Sequence, residues 1–206
     1  MAGQFVCSGD AAVHPLEVVA AEISLRVRAR AWHGAGFRHL REAAMTIYFY
    51  GADEVPHGCF SNFSDHGLDL DGRWWPTSEH YFQAQKFIGT RHADLIRRAR
   101  TPLRAAELGR DPSKPMRRDW ERAKDDVMRR AMAAKFLTHA DIRGILLSTG
   151  DEEIVEDTTA DHYWGRGRTG SGKNMLGRIL MRTRGRLRAE FDEASEARSD
   201  SGRPGR

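Results

Sequence analysis

From Leu68 to Ser78 the chain reads LDLDGRWWPTS. Residues on either side of Asp71-Gly72 alternate in polarity, and Asp-Gly is a strong two-residue hairpin signal. Pro76-Thr77 then closes the second strand and opens a helix that the pattern carries to about Ile88. A short hairpin feeding straight into a helix sets the tone for the rest of the chain. Thr46–Tyr50 is β-branched and aromatic, which predicts a strand, and Gly51–Asn62 reads as a loop. Arg91–Arg100 reads as a helix. Thr101, Pro102 and Gly109 mark a further helix by N-cap, first-turn proline and terminator. Met116–Leu137 carries Trp120, Ala123, Val127, Ala131 and Ala134 at helical spacing. Ala140–Leu147 is another helix, Glu153–Thr158 a short strand, and Asn174–Phe191 a final basic helix. Helices dominate and the strands are few and short, so the expected class is α+β, predominantly helical, rather than α/β.

The chain has 206 residues, of which 40% are hydrophobic and 30% charged. That suits one domain with a real core, loose at its ends. The first 44 residues have weak periodicity and no clean caps, although a short helix around Leu16–Arg30 is compatible with them. They are expected to be an extension ahead of a domain spanning 45–190, with Met45 as the natural start; a basic transit-peptide-like extension is the other reading. Residues 191–206 are polar and expected to be a disordered tail. The net charge of +4 fits anionic ligands but is too modest and dispersed to argue for DNA binding. Cys7 and Cys59 are far apart and outside any CxxC pattern, which fits a reducing, cytoplasmic setting and neither a disulfide framework nor a zinc site. No apolar run is long enough to span a bilayer, and no secretory signal is visible.

Three stretches could carry chemistry. In the helix after Pro76, Glu79, Gln83 and Lys86 are spaced by four and three residues and share a face. Tyr81, Phe82, Ala84, Phe87 and Ile88 can fill the core around them; an exposed polar stripe would have the same spacing. The second stretch is ADHYWGRGRTGSGKN, Ala160 to Asn174. Its glycines permit close backbone approach, and the helix start near Asn174 offers donors for a phosphate. It is not a P-loop, because Lys173 is followed by Asn, and no βαβ unit makes it a dinucleotide fingerprint. A plain flexible loop is the competing reading. The third is Trp120, either core or a stacking face for a heterocycle, with Lys114, Arg117 and Arg118 near it for phosphates. Ser61 and Asn62, in GCFSNF, are candidate polar groups of a pocket. The histidines at 57, 66, 80, 92, 139 and 162 lack metal-ligand spacing, no GxSxG elbow occurs, and Cys59 has no evident base partner.

The segments CFSNF, DGRWWPTSEHYFQAQKF, GRDPSKPMRRDWERAKDDVMRRAMAAKF and LLSTGDEEIVEDTTADHYWGRGRTGSGKNMLGRILM, in this order across roughly Ile47–Arg186, resemble the YbiA-like, or NADAR, family. The resemblance implies a single compact, mostly helical α+β domain. It also implies cleavage of an N-glycosidic bond on a ribose. YbiA-type members hydrolyse phosphorylated ribosylamino-pyrimidine intermediates of riboflavin biosynthesis and release the pyrimidine and ribose 5-phosphate. Other members remove ADP-ribose from guanine bases, and the family was first proposed to handle NAD or ADP-ribose. Carried over by motif, the implicated positions are Glu79, Trp120, Asp161 and Trp164. Lys86 is the position for the covalent chemistry proposed in the guanine-directed members. Cys59 stands where an acidic residue is frequent.

The expected site therefore comprises Glu79, Asp161 and Lys86 as catalytic groups. Trp120, Trp164, Asn62, Gly165, Gly167 and Asn174 are expected to bind substrate, with no metal and no cofactor. A carboxylate near C1′ would stabilise the charge that develops there or activate water, and the roles of Glu79 and Asp161 stay open. The expected partner is a small phosphorylated ribosyl-pyrimidine, with no membrane. Nucleic acid enters only under the alternative of an ADP-ribosyl-guanine hydrolase, for which Arg178, Arg182, Arg184, Arg186 and Arg188 could hold phosphates. A non-catalytic NAD/ADP-ribose binding module is a further alternative, disfavoured by Glu79 and Asp161.

Overall fold

The computed structural model describes residues 45–201, with side chains to 193. The extension, its Leu16–Arg30 helix and the question of Met45 as start lie outside or at the edge of the described residues, as does 202–206. Four short strands and six helices follow in order: β1 (Ile47–Phe49), a 3₁₀ turn (His57–Phe60), β2 (Leu68–Leu70), β3 (Arg73–Trp75), α1 (Ser78–Gln85), α2 (Arg91–Arg97), α3 (Pro102–Gly109), α4 (Trp120–Thr138), α5 (Ala140–Ser148), β4 (Ile154–Glu156) and α6 (Met175–Ser201). The α+β expectation holds, and no described helix is long and apolar enough to cross a membrane.

The hairpin forms as its sequence dictates. Asp71 and Gly72 both take positive φ, 55° and 69°, the condition for a turn that matches strand twist, and Leu68 pairs with Trp75. Thr77 caps α1, its hydroxyl accepting from the His80 N–H, and Thr101 caps α3 likewise through Arg104. The second sheet joins the ends of the domain: β1 and β4 are parallel, with Ile47 opposite Ile154 and Phe49 opposite Glu156.

Local bonding moves several element ends. Helix α1 stops before Ile88 because the N–H groups of Lys86, Phe87 and Thr90 turn to the carbonyls three residues back, and Gly89 takes φ +81°. Ile88 is consequently 58% exposed and is not part of the core expected around the stripe, whereas Tyr81, Phe82, Ala84 and Phe87 are buried. The long helix starts at Trp120, not Met116. The Arg117 N–H is held by the Lys86 carbonyl at 2.8 Å, and its guanidinium grips Asp119 through two bonds of 2.6 and 2.7 Å. That pins the preceding turn outside the helix. The loop after Tyr50 contains the 3₁₀ turn His57–Phe60. Helix α6 continues past Phe191 to Ser201, so the first part of the stretch expected as a tail is helical.

The core gathers Phe49, Phe60, Leu68, Tyr81, Ile96, Met128, Met132, Phe136, Leu146, Ile154 and Leu176, all essentially buried. Burying such side chains contributes about 1.5–3 kcal/mol each. One member of this interior is charged by nature. Lys135 is fully buried on α4 and donates to the Ser61 carbonyl at 2.9 Å and to the Ser64 hydroxyl. It thereby ties the segment carrying Asn62 to the core.

Candidate active site

A cavity of about 540 Å³ opens between α1, the Asn62 segment, β4 and the loop after it, a size within the ~300–1,000 Å³ usual for small-molecule sites. Its polar lining comes from Asn62, Glu79, Gln83, Lys86, Arg110, Glu156, Thr158 and Asp161. Its apolar lining comes from Tyr50, Phe63, Phe82, Met128, Trp164 and Leu176. The helical spacing of Glu79, Gln83 and Lys86 thus forms one wall of the cavity rather than an exposed stripe.

Glu79 is almost wholly buried. Its Oε1 accepts from Gln83 Nε2 at 2.7 Å and its Oε2 from Asn62 Nδ2, while its own N–H donates to the Asn62 carbonyl at 3.0 Å. Burial pushes this carboxyl up to about 7, against the pull of the Gln83 hydrogen bond and of Arg110 and Lys86. Gln83 is itself fixed by close approach. A Cβ on Gly109 would fall 2.0 Å from Gln83 Oε1, so this position of α3 needs glycine for space and not only as the helix terminator that the sequence suggests.

Lys86 follows α1 and is half-buried. Its Nζ donates to the Gly109 carbonyl at 3.1 Å and lies 5.8 and 5.7 Å from the ring centres of Phe82 and Trp120. Burial lowers its pKa; Glu79 opposes that shift and Arg110 adds to it. Lys86 and Glu79 share no direct hydrogen bond, in line with their separation along the helix.

Asp161 reaches the cavity from the far end of the chain. Its Oδ1 accepts from the N–H groups of Tyr163 and Trp164 at 2.7 and 2.8 Å, which shapes the turn that presents Trp164. The Trp164 ring meets Phe82 edge-on, centroids 5.3 Å apart at 88°.

Four expected binding positions have packing or backbone contacts of their own. Trp120 is buried behind Phe82, centroids 5.0 Å apart, and is not among the cavity-lining residues. It supports the aromatic wall from the rear. Gly165 and Gly167 are packing glycines. A Cβ at 165 would sit 2.2 Å from Thr158 and 2.7 Å from the Glu156 carbonyl; one at 167 would strike the His162 ring. Asn174, at φ +48°, donates Nδ2 to the Ile154 carbonyl at 2.8 Å and accepts the Glu156 N–H at 3.0 Å. The first N–H groups of α6, on Met175 and Leu176, bond the Tyr163 and Trp164 carbonyls at 3.0 and 3.1 Å. Those two donors are therefore occupied within the chain.

Two charged cavity residues lie outside the expected set. Arg110 follows α3 and stands near Glu79 and Lys86. Nothing in its local sequence separates it from the other arginines. Glu156 closes β4, and there a signal exists: it alternates with Ile154, which is fully buried, so it shares the inward face of a strand. Burial, together with the charges of Asp161 and Glu79, pushes its carboxyl up to about 7.

The NADAR domain model matches residues 48–188. The chain is 51% identical over 147 residues to N-glycosidase Npun_R5314 of Nostoc punctiforme, covering 70% of this chain and 94% of that protein. It is 42% identical over 141 residues to riboflavin biosynthesis protein VVA0006 of Vibrio vulnificus, covering 68% of this chain and 38% of that longer protein. The NMR structure of the Escherichia coli protein YbiA superposes with a TM-score of 0.68 at 48% identity, covering 73% of this chain and 89% of that one. A family match of this extent, with the fold and the buried polar wall it encloses, shows that this chain belongs to the NADAR family.

Proposed function

We propose that the chain is an N-glycosidase, a hydrolase that cleaves the ribosyl C–N bond of phosphorylated ribosylamino-pyrimidines and releases the pyrimidine and ribose 5-phosphate. One observation carries this reading: a buried carboxylate, Glu79, oriented by two side-chain amides inside a cavity that also has an aromatic wall and two cations. Cleaving a ribosyl C–N bond builds positive charge at C1′ and O4′. A carboxylate held by Gln83 and Asn62 stabilises that charge or takes a proton from attacking water. Phe82 and Trp164 suit a planar base. Lys86 and Arg110 suit a phosphate, the lysine as a point charge and the arginine as a fork of donors. Asp161 builds the Trp164 turn and faces the ribose hydroxyls. The names of the relatives, N-glycosidase and riboflavin biosynthesis protein, support the same substrate class. On this reading the enzyme acts in the cytoplasm on a free small molecule.

A second reading is favoured by one observation, the Lys86 amine at the cavity with its pKa lowered by burial. A neutral amine there could attack C1′ and open the ribose as a Schiff base, the chemistry suited to ADP-ribosyl-guanine. The basic helix lends it little, since Arg184 bonds Thr149 and the Glu152 carbonyl and Arg188 bonds Asp151.

The test is to incubate the full chain with a ribosylamino-pyrimidine phosphate, with ADP-ribosyl-guanosine and with NAD, and to measure free ribose 5-phosphate and ADP-ribose. Release from the pyrimidine substrate is expected. Turnover of ADP-ribosyl-guanosine alone, with a borohydride-trapped adduct on Lys86, would replace the first reading by the second.

A further inference from the structure

The cavity holds a third carboxyl, on Glu156, whose surroundings are the reverse of those of Glu79. Its backbone is fixed from both sides: the N–H donates to Asn174 Oδ1 at 3.0 Å, and the carbonyl accepts from the Arg166 N–H at 3.0 Å. Gly165 is small enough to lie against that carbonyl. Glu156 lines the cavity, and its buried Oε2 has no hydrogen-bond partner among the described residues. Gln83 Oε1, packed against Gly109, is also buried and without a donor. A buried polar atom without a partner costs about 1–3 kcal/mol, more when it is charged, so the unpartnered Oε2 of Glu156 favours the protonated carboxyl.

The hydrogen-bond inventory separates the two glutamates. Both Glu79 oxygens accept from amide donors, which favours the anion. Glu156 Oε2 has no donor to stabilise a charge, and it faces the charges of Glu79 and Asp161. Lys86 and Arg110 sit instead by Glu79. When carboxyls share a site, the proton resides on the one whose anion is least supported. Here that is Glu156, which is therefore available as a donor at neutral pH.

We infer that Glu156 is the general acid of this site, its carboxyl delivering a proton to the nitrogen that leaves C1′. This rests on the N-glycosidase reading above. As the C1′–N bond breaks, its electron pair stays on nitrogen, which takes the Glu156 proton and departs as a neutral amine. Water forms the new C1′–O bond and gives its proton to Glu79. Exchange with solvent returns a proton to Glu156 and restores the starting state. The substrate class is accordingly an N-riboside whose nitrogen is a poor leaving group unless protonated.

The test compares two substrates on the full chain: the ribosylamino-pyrimidine phosphate, and 4-nitrophenyl ribofuranoside 5-phosphate, whose leaving group needs no proton. Glu156→Gln is expected to lower turnover of the first by about 10²–10⁴-fold and to leave the second within a few-fold of wild type. The ratio of the two rates is independent of how much of the variant folds. Loss of the alkaline limb of the kcat profile in Glu156→Gln is a second expected sign, since the acid works only while protonated. Equal loss on both substrates, or no loss on either, overturns the assignment. If wild type cleaves neither substrate, the N-glycosidase reading itself fails, an outcome distinct from a failure of Glu156 alone.

Discussion

Helix α1 turns Glu79 and Gln83 into the cavity, whereas the glycine loop between Trp164 and Met175 bonds many of its polar groups to neighbouring backbone. Both stretches attract attention in the sequence. Glu79 and Gln83 in α1, with Lys86 just beyond it, are buried or half-buried against a wall of aromatic side chains, so on the proposed reading their spacing is a layout for chemistry. In the loop, backbone N–H groups at Gly172, Lys173 and Asn174 go to carbonyls at Arg166, His162 and Gly165. Arg166 pairs with Asp157, and Lys173 lies 5.0 Å from the Tyr163 ring centre. Gly165, Gly167 and Gly172 answer to close packing, and the N–H groups of Gly172, Lys173, Asn174, Met175 and Leu176 are already bonded within the chain. A glycine-rich loop before a helix becomes an anion site only where its N–H groups are free.

This contrast can be broken most directly at Glu79. Glu79→Gln keeps the shape and removes the charge, so turnover should fall by about 10²–10⁴-fold with the thermal melt intact. A rate near wild type would return α1 to an ordinary buried stripe.

The next effect concerns the phosphate. Arg110→Ala should raise KM about tenfold, the scale of losing a charge-assisted hydrogen bond of ~1.5 kcal/mol. Lys173→Ala, in the loop, should change KM by less than about twofold. The opposite ranking would restore the loop as the phosphate seat.

Gly165→Ala should act on stability. The added methyl meets Thr158 and the Glu156 carbonyl, and overpacking of this kind costs about 1–3 kcal/mol, read as a shift in urea midpoint. A weakened KM at unchanged midpoint would mean that the loop contacts substrate after all.

A last effect is pH-linked and is read as a slope rather than as a single loss. Burial pushes Lys135 down to about 7, so between pH 7 and roughly 10.4 the unfolded chain binds more protons than the native one. Stability from this group therefore rises with pH across that window, its penalty being full below pH 7. Glu79 has the opposite sign: raised to about 7, it contributes stability at low pH that is lost as pH rises from roughly 4.3 to 7. Urea midpoints of Lys135→Met should lack the alkaline rise seen in wild type, and those of Glu79→Gln should lack the corresponding decline.

What the sequence made legible was local. The Asp71-Gly72 turn and the Thr77 and Thr101 caps follow from chemistry within four residues, and all formed. The shared face of Glu79, Gln83 and Lys86 follows from helix geometry alone, and the resemblance supplied Asp161 and Trp164 as their companions. The pairing of β1 with β4 joins ends of the domain far apart in sequence and has no local signature. Trp120 was open between core and stacking face, and only the position of Phe82 in front of it decides for support. Arg110 enters the site through the packing of α3 on α1, which no spacing rule announces. Glu156 was readable in principle as an acid on the buried face of a strand, but a three-residue strand gives that pattern little weight.

The most direct test of the central claim is time-resolved release of ribose 5-phosphate from a ribosylamino-pyrimidine phosphate by wild type and by Glu79→Gln, at equal concentrations of folded protein. Steady release by wild type is expected, matched mole for mole by free pyrimidine, with near-abolition in the variant. Equal release by both proteins, or none by wild type, would contradict that claim.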